Sequence, residues 1–257
     1  MTLYNDEFFL GRSPSSYKSA KAILPIVFEI VSPKSVVDVG CGTGAWLSVV
    51  RELGVVDAVG IDGNYVDRKL LMVPPECFVA ADLTQQIEMS RKFDLAVCLE
   101  VAEHLRAAAS ETLVKSLVGL SPVVLFSAAI PGQGGLHHVN EQWPPYWENL
   151  FAKRGYQLVD CIRSRVWNDP EVDFWYAQNC FLFVRRDQLS ASPRLAAEHA
   201  QLQVLPRSVV HPGLLRDVTN YKALTPLNLL RLFPASFKRA ILRRLSGKPR
   251  FQTGSNS

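Results

Sequence analysis

Three closely spaced glycines lie between an apolar run and an amphipathic one, in the order Asp38-Val-Gly40-Cys-Gly42-Thr-Gly44. Glycine lets the chain turn sharply and lets a ligand approach the backbone where no Cβ intervenes. A helix that begins after such a loop presents unpaired N–H groups and a partial positive charge to a carboxylate or phosphate. Asp62 ends the next apolar run, where its carboxylate can accept hydrogen bonds from both hydroxyls of a ribose. This pattern predicts a nucleotide-cofactor site.

The glycine spacing alone does not choose between nucleotide cofactors. Residues 40–45 also satisfy the dinucleotide fingerprint, and Asp62 lies 22 positions after Gly40, as a nicotinamide cofactor requires. Tyr17 and Lys21 have the Tyr-x-x-x-Lys spacing of short-chain dehydrogenases, but they precede the glycine loop, whereas in those enzymes the pair follows it. That order argues against redox chemistry. An NAD(P)-linked oxidoreductase or epimerase, and a cofactor-binding subunit without turnover, remain alternatives.

His104 is the first candidate for a general base. It follows Glu100 by four residues, so both side chains share a face if a helix begins there. A hydroxyl nucleophile needs a base within hydrogen-bond reach, and an imidazole serves near neutral pH. The alternative interpretation is a histidine that caps the end of a strand or packs on the cofactor.

Residues 131–147 hold the second set of candidates, since this glycine-rich segment is too long for a plain connection. His137, His138 and Glu141 offer a base together with hydrogen-bond donors and acceptors. Neighbouring side chains on an extended chain diverge, so the adjacent histidines predict no metal site. Flat aromatic faces suited to a sugar ring come from Trp143, Tyr146 and Trp147, although helical spacing favours a core position for Trp147.

The elements that must position these residues alternate between short apolar runs and helical patterns, which indicates a doubly wound α/β fold. The predicted helices cover residues 15–31, interrupted at Pro25, then 46–53, 110–120 and the region of residues 147–151. Without a clear helix between them, the last two strands are expected to pair antiparallel. The seven predicted strands are residues 35–40, 55–62, 77–83, 93–100, 123–130, 157–167 and 177–186.

The wider pattern resembles class I methyltransferases that use S-adenosylmethionine (SAM). The resemblance rests on D-x-G-x-G at residues 38–42, with Gly44, and extends through VGIDGNY, AADL and FDLAVCLEVAEHL, covering about residues 1–186. It implies a seven-stranded, mostly parallel Rossmann-like sheet with an antiparallel last strand. It also implies SAM as cofactor and gives each binding residue a role. By this resemblance the methionine moiety is bound by Asp38, Gly40, Cys41, Gly42 and Gly44. The ribose is bound by Asp62 with Gly63, and adenine by Asp82 and Leu83. The residues beside the sulfonium are Glu100 and Val101.

Two further likenesses concern the substrate. The string EVAEHL at residues 100–105 resembles the same region of ubiquinone-type O-methyltransferases. FSAAIPGQGG and FWYAQNC, on either side of the long segment, resemble bacterial methyltransferases of polysaccharide and surface-glycan pathways. These likenesses imply O-methylation of a saccharide-containing or other small-molecule acceptor. Trp175, Tyr176 and Gln178 are then candidates for the same pocket, with the alternative that they begin the seventh strand.

Charge is unevenly distributed along the chain. Residues 218–257 contain eight Lys/Arg and no Asp/Glu, which leaves 20 basic and 24 acidic residues in the first 217. The high pI therefore does not indicate a nucleic-acid-binding protein. Residues 187–257 are predicted to form a basic helical appendage to a methyltransferase domain at 1–186, in which residues 1–34 act as a lid. The segment 221–250 is predicted to pack its apolar side on the core or, as the second possibility, to lie on the surface of an anionic membrane.

Five cysteines without a C-x-x-C pair, and the lack of a signal-peptide pattern or a long apolar stretch, predict a cytoplasmic protein. Such a protein would meet the inner face of the membrane peripherally. The sequence does not indicate the oligomeric state.

Overall fold

The computed structural model describes residues 6–201 and 205–219, which form a seven-stranded sheet flanked by helices on both faces. The strands are β1 Ser35–Val39, β2 Asp57–Asp62, β3 Phe78–Ala80, β4 Leu95–Leu99, β5 Val123–Ser127, β6 Tyr156–Val159 and β7 Phe181–Arg185. The α-helices are α1 Asp6–Val31, α2 Ala45–Glu52, α3 Ser110–Leu120, α4 Pro144–Ala152, α5 Arg163–Val166, α6 Phe174–Asn179, α7 Arg186–Ala191, α8 Pro193–Ala200 and α9 Pro212–Thr219.

The sheet has the order β3-β2-β1-β4-β5-β7-β6. Strands β1 to β5 pair parallel, whereas β7 pairs antiparallel with both β5 and β6. The predicted α/β fold with an antiparallel last strand is confirmed. Successive strands run outward in opposite directions from the β1–β4 pair, so a crevice opens at the carboxyl ends of these two strands. In open α/β sheets this is where ligands bind.

Alternate residues of the central strands enter two separate apolar cores, one on each face of the sheet. On β1, Val36 joins the core that α1 and α2 cover, and Val37 joins the core that α3 and α4 cover. Because both faces are buried, these strands are nearly continuous apolar runs rather than alternating ones. Their rigidity fixes the positions of the residues that follow each strand.

Helix α1 runs unbroken through Pro14 and Pro25, so the predicted interruption at Pro25 is wrong. A proline inside a helix removes one backbone hydrogen bond and crowds the preceding turn. Around Pro25, however, Ile23, Leu24 and Val27 are fully buried in the core with α2. Burial of that face stabilises the helix, because tertiary packing contributes more than intrinsic propensity.

The last two strands are shorter than predicted, and α5 and α6 lie between them, so the expected direct connection is wrong. Both helices are too short to show a clear apolar period in the sequence. A buried ion pair between Asp160 and Arg163 secures the start of α5. Residues 175–178 belong to α6 and not to the beginning of the seventh strand.

The chain divides into two compact units, Met1–Leu214 and Leu215–Ser257. Leu189 of α7 and Leu195 of α8 are buried in the same core as α1, so these helices are part of the first unit. The predicted membrane-binding segment, 221–250, lies outside the described residues. Among the helices that the structure describes, none is long and apolar enough to cross a membrane.

Candidate functional site

The glycine loop after β1 requires glycine at three positions. Gly40, Gly42 and Gly44 all have positive φ angles, of 82°, 53° and 84°. A Cβ on Gly40 would lie 2.2 Å from Cγ2 of Val101, so the loop passes directly against the second residue after the end of β4. Two predicted cofactor residues from separate strands thus meet at the crevice.

Asp62 fastens the glycine loop to the end of β2. It is only 4% exposed, and it accepts hydrogen bonds from the backbone N–H groups of Gly42 at 2.7 Å and Gly63 at 2.6 Å. The hydroxyl of Tyr65 donates a third, at 2.6 Å. Burial raises the pKa of Asp62, although the three hydrogen bonds oppose this shift. The predicted ribose-binding residue is therefore held in place by its own chain.

Tyr65 was missed by the sequence interpretation, since a tyrosine three residues after a strand has no distinctive pattern. Its ring lies over Gly63, where a Cβ would come within 2.0 Å of the ring edge. Cys41, another predicted cofactor residue, packs its sulfur against Gly60 of β2. These contacts keep the loop and the β2 end in one layer.

Asp38, at the fourth position of β1, is 4% exposed, and no described residue donates a hydrogen bond to its Oδ2. Burial, and secondly the nearby charge of Asp62, raise the pKa of Asp38 to about 8. A buried carboxyl of this kind ionises readily only beside a positive charge. It is therefore suited to an ammonium group.

Asp82 and Leu83 follow β3 at the same edge of the sheet. Leu83 is buried, whereas Asp82 is exposed and accepts hydrogen bonds from the backbone N–H and the hydroxyl of Thr84. These hydrogen bonds lower the pKa of Asp82. The structure thus presents an ionised carboxylate on a tight turn where the sequence predicts the adenine site.

Glu100 has a left-handed backbone, with φ 54°, directly after β4. Its half-buried carboxylate accepts hydrogen bonds from Gln133 Nε2 at 2.8 Å and from Asn179 Nδ2 at 3.3 Å. Gln178 of α6 donates in turn to Asn179. Backbone strain of this kind is concentrated at functional sites. The predicted pocket residue Gln178 is thus connected to the end of β4, together with Gln133 and Asn179, which the sequence interpretation missed.

The predicted helical face shared by Glu100 and His104 is wrong. The positive φ of Glu100 prevents an α-helix from beginning there, and a single 3₁₀ turn, Ala102–His104, follows instead. This turn places His104 edge-on to His138, with 4.8 Å between ring centroids. Two histidines separated in sequence thus meet after β4.

Glu141 organises the facing segment. Its carboxylate accepts hydrogen bonds from the backbone of Gly132 at 2.7 Å and Gly134 at 2.8 Å, and it lies 3.0 Å from Nδ1 of His138. The imidazole of His138 is therefore oriented by a carboxylate. His137 is exposed and has a φ of 58°, and it is not part of this arrangement.

Glu103 lies beneath the two histidines and is fully buried. Neither of its carboxyl oxygens has a well-formed hydrogen bond to a described residue, although the nearby backbone N–H of Ala129 opposes the rise of its pKa. Burial, and next the negative charge of Glu100, raise the pKa of Glu103 well above its ordinary range. One ligand-type atom from each of Glu103, His104 and His138 lies within 4.8 Å of the others. Glu103 was not singled out from the sequence, although the string EVAEH contains it.

The aromatic candidates separate into core and surface. Trp147 packs on Phe126 and is buried, which confirms its helical-face interpretation. Tyr176 is buried too, edge-on to Trp46. Trp143, by contrast, is exposed beside the long segment. Trp143 is therefore the better candidate for a sugar-facing surface.

Comparison with known proteins supports a methyltransferase. The sequence model of a family described as a methyltransferase domain matches residues 15–127. No curated protein matches the chain.

Solved structures share the fold at low sequence identity. The sugar N-methyltransferase KedS8 from Streptoalloteichus sp ATCC 53650 has a TM-score of 0.50 and 18% identity, covering 70% of this chain and 92% of that one. LaPhzM has a TM-score of 0.51 and 16% identity, covering 70% and 58%. The methyltransferase domain of bacterial CtHen1 has a TM-score of 0.45 and 19% identity, covering 63% and 94%.

Proposed function

We propose that this SAM-dependent methyltransferase transfers a methyl group to an oxygen of a saccharide-containing acceptor, held between the end of β4 and the segment 131–142. The observation that carries the proposal is the contact between the two halves of the site. Val101 packs on the glycine loop, and the buried acid–histidine cluster begins only two residues later in the chain. The cofactor region and a set of proton-accepting groups therefore share one crevice.

Each cofactor residue has a chemical complement in SAM. The loop 40–44 brings backbone N–H groups and the start of α2 toward the carboxylate of the methionine moiety. Asp38, buried beside the loop, matches its ammonium group. Asp62 is placed to bind the ribose hydroxyls in exchange for its hydrogen bond from Tyr65. Asp82 is placed to accept from the exocyclic amine of adenine.

Methyl transfer from a sulfonium is an in-line displacement, so the protein mainly aligns the acceptor and excludes water. A hydroxyl acceptor also has to lose its proton, and a base must be close to it. His138 is suited to accept that proton because Glu141 fixes its ring and stabilises the imidazolium that forms. His104, in edge contact with His138, is the alternative base, and His137 is too exposed to contribute.

The saccharide class is supported by an aromatic side chain in the segment after β5 and by two amides beside Glu100. Trp143 offers an exposed aromatic face, and Gln133 and Asn179 supply amide groups near Glu100. A stacking face combined with several hydrogen-bonding groups is well suited to a sugar ring. The similar fold of KedS8, a sugar N-methyltransferase, supports this acceptor class.

Two measurements test the proposal. Calorimetry should show binding of SAM and S-adenosylhomocysteine to the full chain and none of NAD. Transfer of tritium from methyl-labelled SAM should be followed with a panel of nucleotide sugars and oligosaccharides as acceptors. With an active acceptor, His138→Ala should lower kcat by about 10²-fold or more while SAM affinity stays unchanged. His137→Ala is the matched control. Tight NAD binding, or equal losses in both variants, would contradict the proposed function.

A further inference from the structure

The buried carboxylate of Glu103 poses a problem of energetics. A carboxyl group removed from water without hydrogen-bond partners costs several kcal/mol, and buried charges are normally paired or bound to a metal. Glu103 is fully buried, and neither of its oxygens has a well-formed hydrogen bond to a described residue. Its acidic neighbour Glu100 makes the local environment more unfavourable for a second negative charge. Something besides this part of the chain is expected to satisfy it.

The groups around Glu103 are those that bind metal ions. His104 and His138 each present an imidazole, and one ligand atom from each of the three residues lies within 4.8 Å of the others. Ligands of a common ion bind at about 2.0–2.2 Å from it, so their mutual separations are roughly 3–3.5 Å. The three groups therefore lie within about 2 Å of the spacing that a shared ion requires.

We propose that Glu103, His104 and His138 together bind a divalent metal ion. Two imidazoles and one carboxylate, with the remaining coordination positions open, favour Mn²⁺, Co²⁺ or Zn²⁺. They do not favour Ca²⁺, which requires oxygen ligands throughout. A metal-bound histidine commonly donates its other ring N–H to a carboxylate, which fixes the ring and increases its basicity. Glu141 holds Nδ1 of His138 in this manner, which leaves Nε2 as the nitrogen for the ion.

The fold explains why these ligands are not apparent as a sequence motif. His137 and His138 are neighbours, yet only His138 enters the cluster, since His137 is exposed. The backbone N–H groups of Val139 and Asn140 donate to the carbonyl of Glu103, at 2.9 and 3.0 Å. These two hydrogen bonds attach the segment after β5 to the turn after β4, and this attachment brings His138 above Glu103.

This site deepens the proposed function and rests on it for its role. An ion held here, beside the residues that end β4, would bind the acceptor's oxygen and lower the pKa of its hydroxyl. With the ion bound, His104 and His138 would act as ligands in place of the direct base role proposed for them above, and the proton would be lost to solvent or to Glu141. The acceptor class follows as one with a hydroxyl, or two neighbouring oxygens, able to reach an ion.

The test uses the full chain without an affinity tag, treated with EDTA and dialysed. Co²⁺ is titrated and followed by its visible absorption, and Mn²⁺ and Zn²⁺ are titrated by calorimetry. We expect one ion per chain and at least a tenfold loss of affinity in both His138→Ala and Glu103→Gln. His137→Ala, which removes the exposed neighbour, should bind as the parent does. Circular dichroism should show that each variant is folded. If Glu103→Gln does not fold, the affinity of His138→Ala alone tests the proposal, because the His138 side chain is 11% exposed and its removal disturbs the core less.

Three results would overturn the proposal. They are an absence of Co²⁺ absorption, equal binding in His138→Ala and the parent, and a loss of binding in His137→Ala that matches the loss in His138→Ala. SAM calorimetry on the EDTA-treated protein separates this site from the cofactor site. If SAM binds and methyl transfer proceeds unchanged in EDTA, the metal site is refuted and the proposed function stands. If SAM itself does not bind, the proposed function fails regardless of metal.

Discussion

Asp62 and Glu103 are both buried acids at the carboxyl edge of the sheet, one at the end of β2 and the other shortly after β4. Their surroundings differ completely. Asp62 accepts three hydrogen bonds from Gly42, Gly63 and Tyr65, whereas the carboxylate of Glu103 has no well-formed hydrogen bond to the described residues. Two carboxyl groups that are both buried can therefore differ in the number of hydrogen bonds they accept.

The difference indicates two ways of building a binding site. Around Asp62 the chain supplies every donor, so this region is organised before any cofactor arrives and a ligand has to replace only the weakest partner. Around Glu103 the nearest side chains, those of Glu100, His104 and His138, offer lone pairs, and the proposed site is complete only when a positively charged group enters. Preorganisation lowers the cost of binding, while an unsatisfied group confers selectivity for what satisfies it.

The largest effect is expected from Asp62→Asn. This change removes the negative charge and one of the two oxygens proposed to accept from the ribose hydroxyls, and it weakens the tether to Gly42. We expect SAM affinity to fall by about 10- to 100-fold, given ~1.5–3 kcal/mol for a hydrogen bond to a charged group. Calorimetry with SAM measures this. Asp57→Asn, at the other end of β2 and paired with Arg91 on the surface, is the matched control and should leave affinity unchanged. Wild-type affinity in Asp62→Asn would remove Asp62 from the cofactor site.

An intermediate effect is expected from Asp38→Asn, and it depends on pH. The pKa of Asp38 is about 8 in the folded chain and ordinarily 3.8, so between these values the folded state holds a proton that the unfolded state has lost. Stability therefore falls as pH rises from 4 to 8, by up to about 1.4 kcal/mol per pH unit. The asparagine variant lacks this loss.

Thermal melts at pH 5 and pH 8 measure the difference. The stability of Asp38→Asn relative to the parent should rise between these pH values, with a Tm several degrees higher at pH 8. SAM binding by the parent should also release a proton at pH 7, which calorimetry in buffers of different ionisation enthalpy detects. A constant difference in Tm across this range would show that Asp38 is ionised in the free enzyme.

The smallest effect is expected from Tyr65→Phe. The Tyr65 hydroxyl donates a hydrogen bond to Asp62 Oδ1, where a ribose hydroxyl is proposed to bind. Without this hydroxyl, SAM no longer has to displace a hydrogen bond when it binds. A gain in SAM affinity of about 2- to 5-fold corresponds to the ~0.5–1 kcal/mol net value of such a bond. Calorimetry checks it against Tyr146→Phe as control. A clear loss of affinity would mean that Tyr65 helps to bind SAM and does not compete with it.

The sequence predicted the parts of the site that are local. Asp38 and the three glycines belong to one strand and its turn, and Asp62 ends the next strand, so periodicity and spacing were enough to place them together. The parallel sheet also followed from apolar runs alternating with helical patterns. Pro25 and the two late helices were predicted wrongly, because burial against distant parts of the chain outweighs local propensity there.

What the sequence by itself determined is the arrangement of the glycine loop with Asp38 and Asp62, which is the proposed cofactor half of the crevice, because these residues are close in the chain and their positions depend on backbone shape. What only the tertiary structure decided is the other half. Glu100 meets Asn179 from 79 residues away, and Glu103 meets His138 through backbone hydrogen bonds between two separate connections. Such contacts depend on strand order and on the path of the segment after β5, which no local pattern of residues specifies.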